Sequence, residues 1–277
     1  MYTNNLQKTR KRRKKTRVTI IVGIISKTSI VLGCDSQTTA GTAKRTDTAK
    51  ISALDLSGHK VLVAEAGDCT LSSRTVEALA VLLRTATLDD YRKPADLAQE
   101  AVASTKKDLR RLNNWENDPG ATEDYLDQNP FSLMLAYYYD EKPWLFTLDC
   151  VPGFATKQNS YACLGCGGTV GEFILGRMNP TNMTDEQAII TAFYTVEEVK
   201  KVDCYCGGPC KIGILTSDGE SNVLANNPRD IALTRFASET IAQHDEQLKS
   251  QWRLEMDKIA EESHAKFERW KADHPGE

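Results

Sequence analysis

The chain reads Thr19-Ile20-Ile21-Val22-Gly23-Ile24, then Ser29-Ile30-Val31-Leu32-Gly33-Cys34-Asp35-Ser36-Gln37-Thr38-Thr39-Ala40-Gly41, then Thr48-Ala49-Lys50-Ile51. Apolar runs at 18–26 and 29–35 flank Lys27-Thr28, the pattern of a hairpin. A hydroxyl, a carboxylate and an amine stand along this stretch. A threonine hydroxyl is a weak nucleophile at neutral pH and needs an adjacent base, and a threonine at a chain end carries that base as its own α-amine. Such an amine has a reference pKa of about 8. An ammonium nearby lowers it by like-charge repulsion; Lys50 is the candidate, with Asp35 as the carboxylate that holds it. Taken singly, each residue has a plainer reading: Thr19 as an ordinary strand residue, Asp35 as a strand end, Lys50 as a solvated amine.

Together they resemble the start of a proteasome β-type subunit, or of its bacterial relative HslV, in the N-terminal-nucleophile hydrolase superfamily. The step of 16 residues from Thr19 to Asp35 matches the family's, and Lys50 falls one residue short of the usual spacing, as a loop deletion would leave it. Asp203-Cys204-Tyr205-Cys206-Gly207-Gly208 resembles the family's Asp-x-Tyr-Ser-Gly-Gly, and Leu164-Gly165-Cys166-Gly167-Gly168 its Gly-Ser-Gly-Gly segment. Ala66-Gly67-Asp68-Cys69 is similar to the family's Ala-Gly loop, which makes Gly67 the implied oxyanion donor. Glu65 falls at the floor of the family's specificity pocket, with Cys69 beside it. That implies a preference for a basic residue before the scissile bond; a glutamate with a local partner is the alternative.

The resemblance implies an α+β fold, a four-layer αββα sandwich. It also implies a threonine endopeptidase cut after Val18, with Thr19 as nucleophile and base carrier. Lys50 and Asp35 would tune it, and Asp203, Cys206 and Cys166 would assist proton traffic. No metal or organic cofactor is implied. The substrate would be a peptide or unfolded protein, the assembly a homo-oligomeric ring, and an ATP-driven unfoldase a possible partner. Two departures bear on this. Both family serines are cysteines here, and a thiol is the weaker hydrogen-bonding group. Val18 stands where self-cleaving relatives carry glycine, which permits the tight backbone of self-attack. A catalytically silent ring subunit and a small-molecule amidase on the same fold are the alternative readings.

Composition bounds the class. The chain has 277 residues and is 40% hydrophobic, enough for a sizeable core. It has neither a run of about 18 apolar residues nor a secretory signal, so a soluble, cytoplasmic protein with eight reduced cysteines is expected. The net charge of −3 conceals a division: residues 1–18 hold eight basic side chains and no acid, leaving 27 basic against 38 acidic beyond them, a net −11. Such a block reads first as a disordered propeptide or tail. Nucleic-acid binding comes second, because no aromatics are interleaved for stacking.

The expected organisation is a basic segment at 1–18, a hydrolase domain at 19–227, and a helical extension at 228–277. Lys60 to Glu65 reads as a strand. Val76–Leu83 and Leu97–Leu109 carry helical periodicity, and 113–129 reads as a polar loop. Phe131–Tyr139 and Trp144–Leu148 read as strands, and Val170–Met178 and Thr184–Val199 as helices, the latter with a Thr184/Gln187 capping box. Lys211–Thr216 and Asn222–Leu224 complete the strands. Cys163-x-x-Cys166 with Cys204, Cys206 and Cys210 has the spacing of a split zinc site, weighed against cysteine as a small buried hydrophobe.

Overall fold

The hairpin written into residues 18–35 forms as β1 (Ile20–Ile25) and β2 (Ser29–Cys34), antiparallel, with Ile21 opposite Cys34 and Ile25 opposite Ile30. Their apolar residues run on without alternation because both faces are covered. Ile21, Ile30, Leu32 and Cys34 belong to the core between two sheets. Ile20 and Gly33 instead point at helices on the opposite face, where a Cβ on Gly33 would meet Ala192.

The computed structural model describes residues 19–40, 43–56, 58–219 and 221–224. The chain divides into two units, Met1–Ala225 and Asn226–Glu277, and every described residue lies in the first. The basic run at 1–18 and the expected extension at 228–277 lie outside the described residues.

After β2 come β3 (Thr38–Ala40) and β4 (Ala43–Arg45), which pair with each other. Next are β5 (Ile51–Leu56) and β6 (His59–Gly67). The helices α1 (Cys69–Thr85), α2 (Lys93–Leu112) and α3 (Pro119–Gln128) follow. The strands β7 (Phe131–Tyr139), β8 (Lys142–Asp149), β9 (Ala155–Gln158) and β10 (Tyr161–Gly165) lead to α4 (Gly168–Met178) and α5 (Asp185–Val202). Finally come β11 (Lys211–Thr216) and β12 (Ser221–Leu224). One sheet runs β10-β1-β2-β11-β12 and the other β5-β6-β7-β8-β9. Helices α4 and α5 pack on the first sheet and α1 and α2 on the second, with the sheets face to face. The result is the expected helix–sheet–sheet–helix order.

The polar stretch 113–129, read as a loop, is corrected by α3. Asp118 accepts from the Ala121 amide at 3.1 Å and Pro119 occupies the first turn, so the helix is well started. Its apolar periodicity is faint because only Thr122 and Leu126 are buried, and Arg110 Nε donates to Thr122 Oγ1 at 3.2 Å to tie it to α2. The Thr184/Gln187 capping box forms as read. Asp185, in the first turn of α5, accepts from Ser26 Oγ at 2.6 Å and Thr28 Oγ1 at 2.7 Å, which anchors the β1–β2 turn to that helix.

Candidate active site

The inter-strand register brings the separate motifs to one end of the first sheet. Thr19 immediately precedes β1, an interior strand between β10 and β2, and Asp35 immediately follows β2. Lys50 immediately precedes β5 in the facing sheet, where its carbonyl accepts from the Glu65 amide at 2.9 Å. All three side chains are enclosed: Thr19 is 2% exposed, Asp35 0% and Lys50 6%.

Lys50 Nζ donates to Thr19 Oγ1 at 2.5 Å, to Asp35 Oδ1 at 2.8 Å and to the Gln37 carbonyl at 2.6 Å. An ammonium has three N–H donors, so each has a partner. Asp35 is likewise filled. Its Oδ1 also accepts from the Ile20 amide at 3.2 Å, and Oδ2 accepts from the amides of Gln37 at 3.3 Å and Gly207 at 3.0 Å. The carboxylate is thus fixed mainly by main chain, and the lysine is fixed by the carboxylate. This positions a cation against the Thr19 hydroxyl, where it favours negative charge on that oxygen.

On the other side of Thr19 lie the two cysteines. The Thr19 nitrogen donates to Cys166 Sγ at 3.3 Å, Cys166 Sγ donates to the Thr19 carbonyl at 3.5 Å, and the sulfurs of Cys166 and Cys206 are 3.6 Å apart. A carboxylate oxygen of Asp203 lies within 4.8 Å of both sulfurs. The hydrogen bond with Cys166, and then burial, push the Cys206 thiol well above its ordinary pKa. Asp203 caps the C-terminus of α5 and accepts the Tyr205 amide at 2.9 Å, which begins the turn that carries Cys206 to the site.

Two glycines let the chain approach this closely. Gly165 has φ +91°, and a Cβ there would sit 2.1 Å from the Thr19 carbonyl oxygen. Gly67 has φ +98°, and its Cβ would sit 2.1 Å from the Pro130 carbonyl, so that contact alone requires glycine there. Asp68 then caps α1 by accepting from the amides of Thr70 and Leu71. Thr19 itself has φ +131°, costly for a β-branched residue, by about 1–3 kcal/mol.

Thr19, Asp35, Lys50, Cys166, Cys206 and Asp203 therefore form one connected cluster. Glu65 hydrogen-bonds to it through its main chain, while its carboxylate accepts from Ser73 Oγ at 3.3 Å; burial raises its pKa and the Lys50 charge opposes that rise. Cys69 is exposed at the start of α1, and no hydrogen bond joins Gly67 to Thr19. The Gln37 carbonyl was not anticipated. A main-chain acceptor is independent of residue type, so no sequence signal marks it.

The family model described as "Proteasome subunit" matches residues 16–215. The chain belongs to the proteasome subunit family. Comparison with curated protein sequences finds no match. Among solved structures, the Anbu (Gly-1) mutant from Hyphomicrobium sp. strain MC1 is 15% identical with a TM-score of 0.62, covering 83% of this chain and 99% of that one. Anbu (ancestral beta-subunit) from Yersinia bercovieri is 17% identical with a TM-score of 0.62, covering 83% and 97%. A structure titled as a helical assembly of the Anbu complex from Pseudomonas aeruginosa is 19% identical with a TM-score of 0.61, covering 83% and 96%. At these identities the likeness is one of fold, and that fold is the αββα sandwich of the proteasome family.

Proposed function

We propose that this proteasome-family chain is a threonine endopeptidase subunit, active after removal of residues 1–18 and acting on peptides or unfolded protein inside an oligomer of its own kind. The observation that carries the reading is the enclosed contact of Lys50 Nζ with Thr19 Oγ1 at 2.5 Å, backed by Asp35 at 2.8 Å. The Thr19 hydroxyl gives its proton to its own freed amine while its oxygen attacks the peptide carbonyl. The amine then passes the proton to the leaving nitrogen, and water hydrolyses the resulting ester.

Lys50, with all three donors engaged, stabilises charge on the attacking oxygen and lowers the amine pKa rather than carrying the proton. Gly67 N–H is the proposed donor to the developing oxyanion, a contribution of about a hundredfold or more in rate. Cys166, Cys206 and Asp203 steady the amine side. Glu65, with Cys69 near it, favours a basic residue before the scissile bond. The Anbu complex from Pseudomonas aeruginosa is described as a helical assembly. One head-to-tail contact closes a ring or opens a helix according to its rotation, so either form fits this subunit. An ATP-driven unfoldase is the proposed partner, in the cytoplasm; no helix among the described residues is long and apolar enough to cross a membrane.

A second reading, a silent subunit of the same assembly, is favoured by Val18 before Thr19 and by cysteines in both serine places. Intact-mass measurement of protein from its native source, alongside a peptide-cleavage assay, separates the two. A chain beginning at Thr19 that cleaves peptides supports the peptidase. A chain wholly retaining the basic segment, with no turnover, supports the silent subunit.

A further inference from the structure

Cys166, Asp203 and Cys206 are, among the described residues, the one group of three metal-type donors whose ligand atoms all lie within 4.8 Å of one another. The other cysteines of the sequence pattern do not join them. Cys163 packs against Gly171 of α4, Cys204 is exposed, and half-buried Cys210 directs its thiol to the Lys211 carbonyl. Two thiolates at about 2.3 Å from a tetrahedral zinc stand about 3.8 Å apart, and here the sulfurs are 3.6 Å apart. Across the same centre a thiolate and a carboxylate oxygen stand about 3.6 Å apart, and a carboxylate oxygen of Asp203 lies within 4.8 Å of both sulfurs. Cys166 and Asp203 are only partly buried, so an ion has a route in.

We propose that Cys166, Cys206 and Asp203 form a binding site for a thiophilic divalent ion of the zinc type, and that the ion silences Thr19. Binding releases the two thiol protons to solvent and leaves two thiolates and one carboxylate on the metal, so affinity rises with pH. The fourth position falls to the Thr19 nitrogen, which lies 3.3 Å from Cys166 Sγ. As an amide it has no lone pair to give and water fills the position; as a freed amine it becomes the fourth ligand and can no longer accept the hydroxyl proton. This silencing rests on the proposed function, whereas the binding does not. Serines at these two places would not make such a site, because a neutral hydroxyl is a poor zinc ligand beside a thiolate.

The test uses the reduced, chelator-treated full chain, titrated with Zn2+ by calorimetry and with Co2+ by absorption, where thiolate-to-cobalt bands report sulfur ligation. One ion per chain and sulfur bands are expected, lost in Cys166→Ser/Cys206→Ser and kept in Cys69→Ser/Cys204→Ser. Asp203→Asn should weaken binding by at least about tenfold, the least that altering a ligand's surroundings costs. Because the double serine chain could misfold, the unaltered protein is also alkylated with and without Zn2+: protection confined to Cys166 and Cys206 supports the site. No stoichiometric binding, or binding lost with Cys69 and Cys204 instead, overturns it. Zn2+ should inhibit peptide cleavage at the concentration at which it binds. Full turnover with the site loaded overturns the silencing, while binding to a chain with no turnover at all counts against the proposed function alone.

Discussion

The Lys50 ammonium lies 2.8 Å from the Asp35 carboxylate with neither side chain more than 6% exposed, so each charge is tolerable only because the other is present. Removing one member of such a buried pair typically costs about 3–5 kcal/mol. Lys50→Met should therefore lower the unfolding midpoint visibly as well as reduce peptide cleavage by about a hundredfold or more. Denaturant titration beside the peptidase assay checks both. A folded, fully active Lys50→Met chain would remove the lysine from the mechanism.

Restoring glycine before Thr19 tests the upstream side of the site. Val18→Gly should raise the fraction of chains that begin at Thr19, because glycine admits the backbone conformations that self-attack requires. N-terminal sequencing of matched preparations measures it. An unchanged fraction would point to a separate processing protease.

Glu65 carries a pH signature. Burial raises its pKa, so the folded chain binds a proton more readily at this site than the unfolded chain does. Its contribution is favourable below the unfolded carboxylate range and is lost as pH rises through the folded value. Glu65→Gln should therefore raise the melting temperature at neutral pH, with the gain vanishing in acid. The same variant should turn over peptides with Arg or Lys before the scissile bond more slowly, whereas peptides with an apolar residue there should be unaffected.

The thiols should divide by reactivity. Burial pushes Cys34 up to about 12, and the Cys166 hydrogen bond followed by burial raises Cys206. The thiolate is the reactive form, so both should alkylate slowly at neutral pH and faster as pH rises, while exposed Cys69 and Cys204 react first. Peroxide should inhibit once Cys166, half-buried beside the Thr19 nitrogen, is oxidised, and reductant should reverse that inhibition. Mass spectrometry of labelled peptides over time gives the order.

The Thr19–Asp35–Lys50 set was legible because a hydroxyl, a carboxylate and an amine stood at spacings that resemble the family's, and the αββα layers came with that resemblance. What escaped reading was contributed by main chain or by polar surface. The Gln37 carbonyl and the Gly207 amide complete the site whatever side chains they bear. Strand β4, the edge strand β9 and the α3 helix bury too little to leave an apolar rhythm. Of the five cysteines in the split-site spacing only Cys166 and Cys206 come together, beside Asp203, which is the grouping the family resemblance implied and the spacing alone did not.

Strand β1 is hydrogen-bonded on both sides, to β10 and to β2, directly after Thr19. A chain terminus ordinarily frays, because its last residues have few partners to lose. A cut before Thr19 would instead place a new end on an interior strand of a five-stranded sheet, where neighbours on either flank hold it in register. An ordered terminus would then cost almost no additional entropy, and a chain whose upstream segment is trimmed by an added protease, after folding, should keep its first residue in place without any help from residues 1–18.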